Sequence, residues 1–288
     1  MENNPVNFKS IRDFGEIFNS TFTFIGEEFK PLGKAILLYA MPFLIIASII
    51  GVVFGIQSQQ LMNSYNLQNS TDLSESLSMV GQAYKYIFLM MMIYMVGMSV
   101  LQCTIMGYIK LYIEKGKGNF TTEEVWNEVK SRIFPVLGIS LICFILIIIG
   151  TIFCIIPGII LAVSLSLILP AYFYEQKGFG NSFNRSFQLT AQKWWLTFGL
   201  MIVSYILVYM ISLLLSIPSM LMGFKTLFAL ASHAEVHIST GYYILNSITQ
   251  LVTYVLISIP LIILIFNYFS LVELKDRPSL QEKIDQIS

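Results

Sequence analysis

Arg185 and Lys193 lead into the pair Trp194-Trp195, and cations beside indoles could hold a lipid phosphate at the edge of a bilayer. Glu175, ten residues before Arg185, offers another reading: an ion pair across a bend that fixes the following helix against the membrane. Asn19, Asn127 and Asn184 each follow an aromatic residue and could cap a neighbouring element or bind a headgroup. His233 and His237 stand at i and i+4 on one helix face, where two imidazoles could ligate zinc. The metalloprotease pattern needs Glu directly after the first His, and here Glu235 comes two residues on, so no metal is expected. No set of His, Asp, Glu or Ser converges into a catalytic constellation, so the chain is expected to be no enzyme and to need no cofactor.

The elements that must carry these residues are long apolar runs. With 56% hydrophobic and 12% charged residues, the chain of 288 is far from the roughly 25% charged content of soluble domains. A helix needs about 20 apolar residues to cross the hydrocarbon core. Six crossings are expected at about 35-56, 86-109, 135-155, 159-174, 196-216 and 243-271. They form a membrane domain over 35-272, between an amphipathic segment at 1-34 and a short polar tail at 273-288. The stretch Phe134–Tyr174 holds no charge for 41 residues, too long for one helix, and Ile156-Pro157-Gly158 is the expected turn within it. Pro42, Pro170 and Pro260 read as tolerated kinks.

Fifteen of the seventeen Lys and Arg residues fall in alternate gaps between these runs, leaving only Lys85 and Lys225 elsewhere. Cytoplasmic loops carry that excess, so both termini are expected in the cytoplasm. No Asp, Glu, Lys, Arg or His lies in the middle of a crossing, which argues against ion-coupled transport. Gln102, Asn246 and Gln250 are the most polar groups there and suit interhelical hydrogen bonds. Gly51-x-x-x-Gly55 would let another helix approach closely. No basic stripe exists for nucleic acid, and Cys103, Cys143 and Cys154 read as small buried hydrophobes. On the outer side, Gln57–Tyr84 reads as a solvated excursion with a short helix, and Pro218–Tyr242 as an interfacial or re-entrant stretch.

The cytoplasmic segments are amphipathic. Ile11, Phe14, Phe18, Phe22, Ile25 and Phe29 recur at helical spacing, the pattern of a helix lying in the membrane interface. Val125, Trp126, Val129 and Ile133 follow a capping box at Thr121–Glu124, and Phe179, Phe183 and Phe187 form a third stripe. Residues 14–22 align without gaps on 179–187, and Trp126-Asn127 keeps the aromatic–Asn pair. Three repeats are expected, each an interfacial helix followed by a helical hairpin, with the three helices forming a cytoplasmic collar.

At Pro157-Gly158-Ile159, Pro170-Ala171-Tyr172-Phe173-Tyr174-Glu175, Arg185-Ser186-Phe187-Gln188-Leu189 and Lys193-Trp194-Trp195 the chain resembles bacterial polytopic proteins with a glycerophosphoryl diester phosphodiesterase membrane domain. The resemblance is clearest over about 157–199. It implies an all-α fold in the bacterial cytoplasmic membrane and an association with membrane lipids. It implies no activity, because the soluble barrel and its metal-binding carboxylates have no counterpart in this sequence.

Two functions fit best. One is a membrane adaptor or scaffold whose collar binds a membrane or cytoplasmic partner protein or orders lipids. The other is a lipid-handling protein or facilitator with a site between the repeats. Either is compatible with a homo-oligomer.

Overall fold

The computed structural model describes residues 6–68, 73–231 and 239–277. Ten α-helices and no strand occur among them. Among the described residues, six stretches are long and apolar enough to cross a membrane: Met41–Gln59, Val80–Lys115, Thr122–Phe153, Ile155–Glu175, Trp194–Phe224 and Thr240–Asp276. Helices are what such a sequence must form, because hydrocarbon offers no partner for an open backbone N–H or C=O. The chain is a multi-pass membrane protein.

In chain order the helices are α1 (Phe14–Tyr39), α2 (Met41–Gln68), α3 (Leu73–Lys115), α4 (Thr122–Phe153), α5 (Ile155–Leu165), α6 (Ile168–Glu175), α7 (Phe179–Thr190), α8 (Trp194–Ala231), α9 (Thr240–Leu256) and α10 (Ser258–Asp276). Prolines set four of the boundaries. Pro42, Pro157, Pro170 and Pro260 each sit within the first three residues of a helix, where the missing N–H has no intrahelical partner to lose. Each ring still clashes with the carbonyl four residues before it, so the break falls upstream of the proline. The turn read at Ile156-Pro157-Gly158 therefore lies at Cys154, which is extended with φ −169° and ψ 147°. The run at 159–174 is divided at Ser166-Leu167, and the run at 35-56 at Ala40. Pro31, Pro135 and Pro218 are passed without a break, inside α1, α4 and α8.

Other expectations change in the same way. The segment read as a separate amphipathic helix at Val125–Ile133 is continuous with the third crossing, so that α4 runs from its capping box at Thr121 to Phe153. Most of Gln57–Tyr84 is helical, as extensions of α2 and α3, and α8 runs on through Pro218 with no re-entrant turn. The His233–His237 pair and Asn69-Ser70-Thr71 lie outside the described residues.

The chain divides into two compact units. The first comprises residues 1–39, 99–206 and 257–288. Its tightest packing is the α4–α5 hairpin. A Cβ on Gly158 would stand 2.3 Å from Thr151 Oγ1 and 2.9 Å from Thr151 Cα, and one on Gly150 would stand 2.7 Å from Leu161 Cδ1. Glycine at both positions lets the two helices touch. The segment before α1 is an aromatic plug: Phe8 is buried, stacked on Phe266 at 4.3 Å and edge-on to Phe24 at 5.3 Å. Arg12 ties it down. Its guanidinium donates to the carbonyls of Asn7, Phe8 and Ser10 and to Ser20 Oγ, and it lies 5.2 Å from the Phe266 ring centre. Burial holds the Arg12 pKa below its ordinary value, partly opposed by Glu16.

The second unit comprises residues 40–98 and 207–256. Here the Gly51–Gly55 pair serves two different helices. A Cβ on Gly51 would meet Met90 Cε of α3 at 3.1 Å, and one on Gly55 would meet the Tyr243 ring of α9 at 2.4 Å. Thr253 Oγ1 donates to Ser212 Oγ at 3.0 Å, joining α9 to α8. Hydroxyl bonds of this kind link helices where lipid gives no hydrophobic drive to associate.

Candidate functional site

Within the first unit, α3, α4, α5, α6, α8 and α10 surround a cavity of about 470 Å³. Its wall is mostly aliphatic, from residues such as Ile105, Ile147, Leu165 and Leu264. Among the described residues, no charged side chain lines it. The polar groups are Gln102, Ser140, Ser166 and the Tyr205 hydroxyl, with the Cys143 thiol beside them. Ser140 Oγ donates to Gln102 Oε1 at 3.4 Å, the interhelical role expected of Gln102. The amide nitrogen of Gln102 has no acceptor among the described residues. Ser166 lies at the break between α5 and α6, and its hydroxyl donates to the Val163 carbonyl at 2.7 Å. Pro170 has no N–H to give the Ser166 carbonyl, which places the break in the wall. Size and lining suit a ligand site, mostly apolar with a few polar groups.

The helices forming this wall are clasped at one end by Arg185. Its Nε donates to Glu175 Oε1 of α6 at 2.6 Å, and an Nη donates to Asp276 of α10. Tyr268 donates its hydroxyl to the same Glu175 oxygen at 3.1 Å, and Lys177 Nζ stands 3.5 Å from the other. Burial works against the Arg185 charge, but the bonds to Asp276 and Glu175 outweigh it and raise its pKa above the ordinary value. Of the two readings for Arg185, the geometry forms the ion pair across the bend. Both carboxylates already occupy the guanidinium.

Two further ion clusters lie in this unit. Glu28 is 1% exposed, accepts from Tyr108 at 2.5 Å, and has Lys117 Nζ 3.4 Å from its other oxygen. Lys117, between Gly116 and Gly118, also donates to Glu27 at 3.0 Å, which raises its pKa. Glu128 sits between Lys110 at 2.8 Å and Arg132 at 3.3 Å, and Arg132 also donates to the Phe173 carbonyl while lying 4.3 Å from that ring's centre. These carboxylates read as mixed surface charge in the sequence. Their burial depends on partners up to ninety residues away, and no local pattern records that.

The remaining candidates are spread over the surface. Asn19, Asn127 and Asn184 are all exposed, and none of their side chains makes a hydrogen bond among the described residues. Lys193 is half-buried and makes no ion pair among the described residues. Trp194 stacks on Phe198 at 5.1 Å and meets Trp195 edge-on at 4.9 Å. Its indole N–H is buried without an acceptor among the described residues, whereas Trp195 is 77% exposed.

One regularity joins these positions. Residues 17–21, 125–129 and 182–186 share the same succession: buried, half-buried, exposed, half-buried, buried. The exposed residue is Asn in all three, and the half-buried one before it is Phe18, Trp126 or Phe183. The half-buried residue after it is Ser20, Glu128 or Arg185, each bonded to a cation or an anion. In α1 the stripe Phe14–Phe22 lies about a quarter of a turn from the face buried by Ile17, Thr21, Phe24 and Glu28. In α7, Phe179 and Phe183 lie similarly beside buried Ser182 and Ser186.

No curated protein matches the chain, and no solved structure does. The model of one family, the domain of unknown function DUF7847, matches residues 33–266 and takes in all of the cavity wall. With most of its length matched, the chain belongs to the DUF7847 family.

Proposed function

We propose that this protein is a lipid-handling protein of the bacterial cytoplasmic membrane, with both termini cytoplasmic, that holds an acyl chain in the α3–α10 cavity. The cavity carries the reading: about 470 Å³, lined by aliphatic side chains, without charge, within segments apolar enough to lie at bilayer depth. Its few polar groups leave most of the wall aliphatic, which suits a mostly apolar ligand better than a polar solute. Lipid is the apolar molecule at hand.

α1, α7 and the first turns of α4 act as a collar at the cytoplasmic interface, as three repeats of one unit. The shared burial succession around Asn19, Asn127 and Asn184 supports the repeat. Phe14, Phe22 and Phe179, exposed beside a protein-facing stripe, support the interfacial placement, since such rings would be unfavourable in water and favourable at the acyl boundary. Trp194, Trp195 and Lys193 anchor at headgroup level. We also propose kinship with the glycerophosphoryl diester phosphodiesterase membrane domain, on the resemblance of residues 157–199.

A second reading, an adaptor that binds a partner protein through the collar, is favoured by Phe29 and Phe134, exposed by 71% and 82%. Native mass spectrometry of protein extracted gently from its own membrane separates the two. Retained lipid that is lost on Ala162→Trp, which fills the cavity from α5, supports lipid handling; a stoichiometric protein and no lipid supports the adaptor. For the topology, a reporter fused after Ser288 should read cytoplasmic, and a cysteine placed at Gln68 should label from outside. The opposite pattern would overturn the assigned orientation.

A further inference from the structure

We infer that the cavity selects an uncharged lipid bearing both an ester carbonyl and a free hydroxyl, the head chemistry of a diacylglycerol, over lipids whose head is a phosphate. The inference rests on the lipid reading and adds the head to the chain.

The polar atoms in the wall are complementary to that head. The Gln102 amide nitrogen is a donor without an acceptor among the described residues, and it faces a lining with no charge. A carbonyl would satisfy it. The Ser166 hydroxyl, whose proton goes to the Val163 carbonyl, keeps its lone pairs as acceptors in the wall. A hydroxyl would satisfy that one. The Ser140 hydroxyl stands 3.4 Å from Gln102 Oε1, a long bond that turns the amide oxygen toward Ser140 and leaves its nitrogen for the ligand. A phosphate brought to the same place would lose its hydration and find no cation. The Arg185 guanidinium does not line the cavity and is saturated by Glu175 and Asp276. Burying an unpaired charge costs far more than one hydrogen bond returns. The site therefore discriminates by exclusion of charge first and by hydrogen bonding second.

The test uses the full chain in nanodiscs of phosphatidylglycerol doped with equal small amounts of diacylglycerol and phosphatidic acid of the same chain length. Retained lipid is read by native mass spectrometry. The expected result is enrichment of diacylglycerol over phosphatidic acid in the wild type. Gln102→Met, near in volume, should reduce that enrichment by about three- to tenfold, the value of one hydrogen bond, while unlabelled thermal unfolding stays near wild type. If Gln102→Met fails to fold, Ser140→Ala, which frees the amide to rotate, should lower the enrichment in the same direction. Equal retention of the two lipids, or a preference for phosphatidic acid, overturns the head-group inference and leaves the lipid reading standing. Unchanged enrichment in Gln102→Met overturns the role of the amide. Retention of no lipid by the wild type, indistinguishable from Ala162→Trp, overturns both.

Discussion

Gly158→Val should be the most damaging single substitution in the chain. Its Cβ would sit 2.9 Å from the Thr151 Cα and 2.3 Å from Thr151 Oγ1, and a backbone atom cannot swing aside. The two helices would have to separate, and the Gly150–Leu161 contact would open with them. Overpacking of this kind costs about 3 kcal/mol, or more where the backbone must move. For a chain of this size that is a fall of roughly 6–12 °C in the unfolding midpoint, read by fluorescence-detected size exclusion of the solubilised protein. The matched control is Gly138→Ala in α4, the partner helix of the hairpin. Nothing lies within 4 Å of its Cβ, so it should hold or slightly raise the midpoint, by the roughly 0.5–1 kcal/mol that Ala gains over Gly in a helix. Equal midpoints for Gly158→Val and wild type would mean that α4 and α5 do not form this hairpin.

The second large effect is expected at Arg185. Arg185→Ala leaves Glu175, 16% exposed, without its guanidinium, and uncouples α6, α7 and α10 at one stroke. Breaking a buried pair costs about 3–5 kcal/mol, and the outward half of this cluster, at Asp276, is well solvated, so about 2–3 kcal/mol is expected. Arg185→Lys should recover less than half, because a single ammonium cannot reach two carboxylates as a planar fork does. Glu175→Gln keeps a hydrogen-bond acceptor and removes the charge, so it should cost less than Arg185→Ala. The double variant should show a coupling of about 1–3 kcal/mol between the two sites. Because α6 and α10 both line the cavity, Arg185→Ala should also loosen lipid retention. Normal expression, thermal stability and lipid retention in that variant would remove Arg185 from the account.

The spans were readable because hydrocarbon imposes one rule on every segment: about 20 apolar residues with no charge. Helix ends were less readable, and the error has a direction. A proline acts on the carbonyl four residues upstream, so the breaks at Ala40, Cys154 and Ser166-Leu167 precede the prolines that cause them. The Glu175–Arg185 pairing was accessible because the two lie ten residues apart across one turn. Asp276, the third member, comes from the far end of the chain. The Phe8 plug and the buried Glu28 gave no signal, since a single aromatic and a single acid carry no period. Gln102 stood out as a polar residue in an apolar run, but a cavity is made of the space left between six helices. Sequence spacing does not encode that space.

The most direct measurement is where a bound acyl chain lies. Protein in its native membrane would be labelled with a lipid carrying a photoreactive diazirine in mid-chain, and the modified peptides sequenced. Lipid in the cavity predicts adducts at inward-facing residues such as Ser140, Cys143 and Ala162, competed by unlabelled lipid and abolished by Ala162→Trp. Adducts confined to the outward aliphatic surface of α4, at Ile145, Ile148 and Ile152, and unaffected by competitor, would contradict the account.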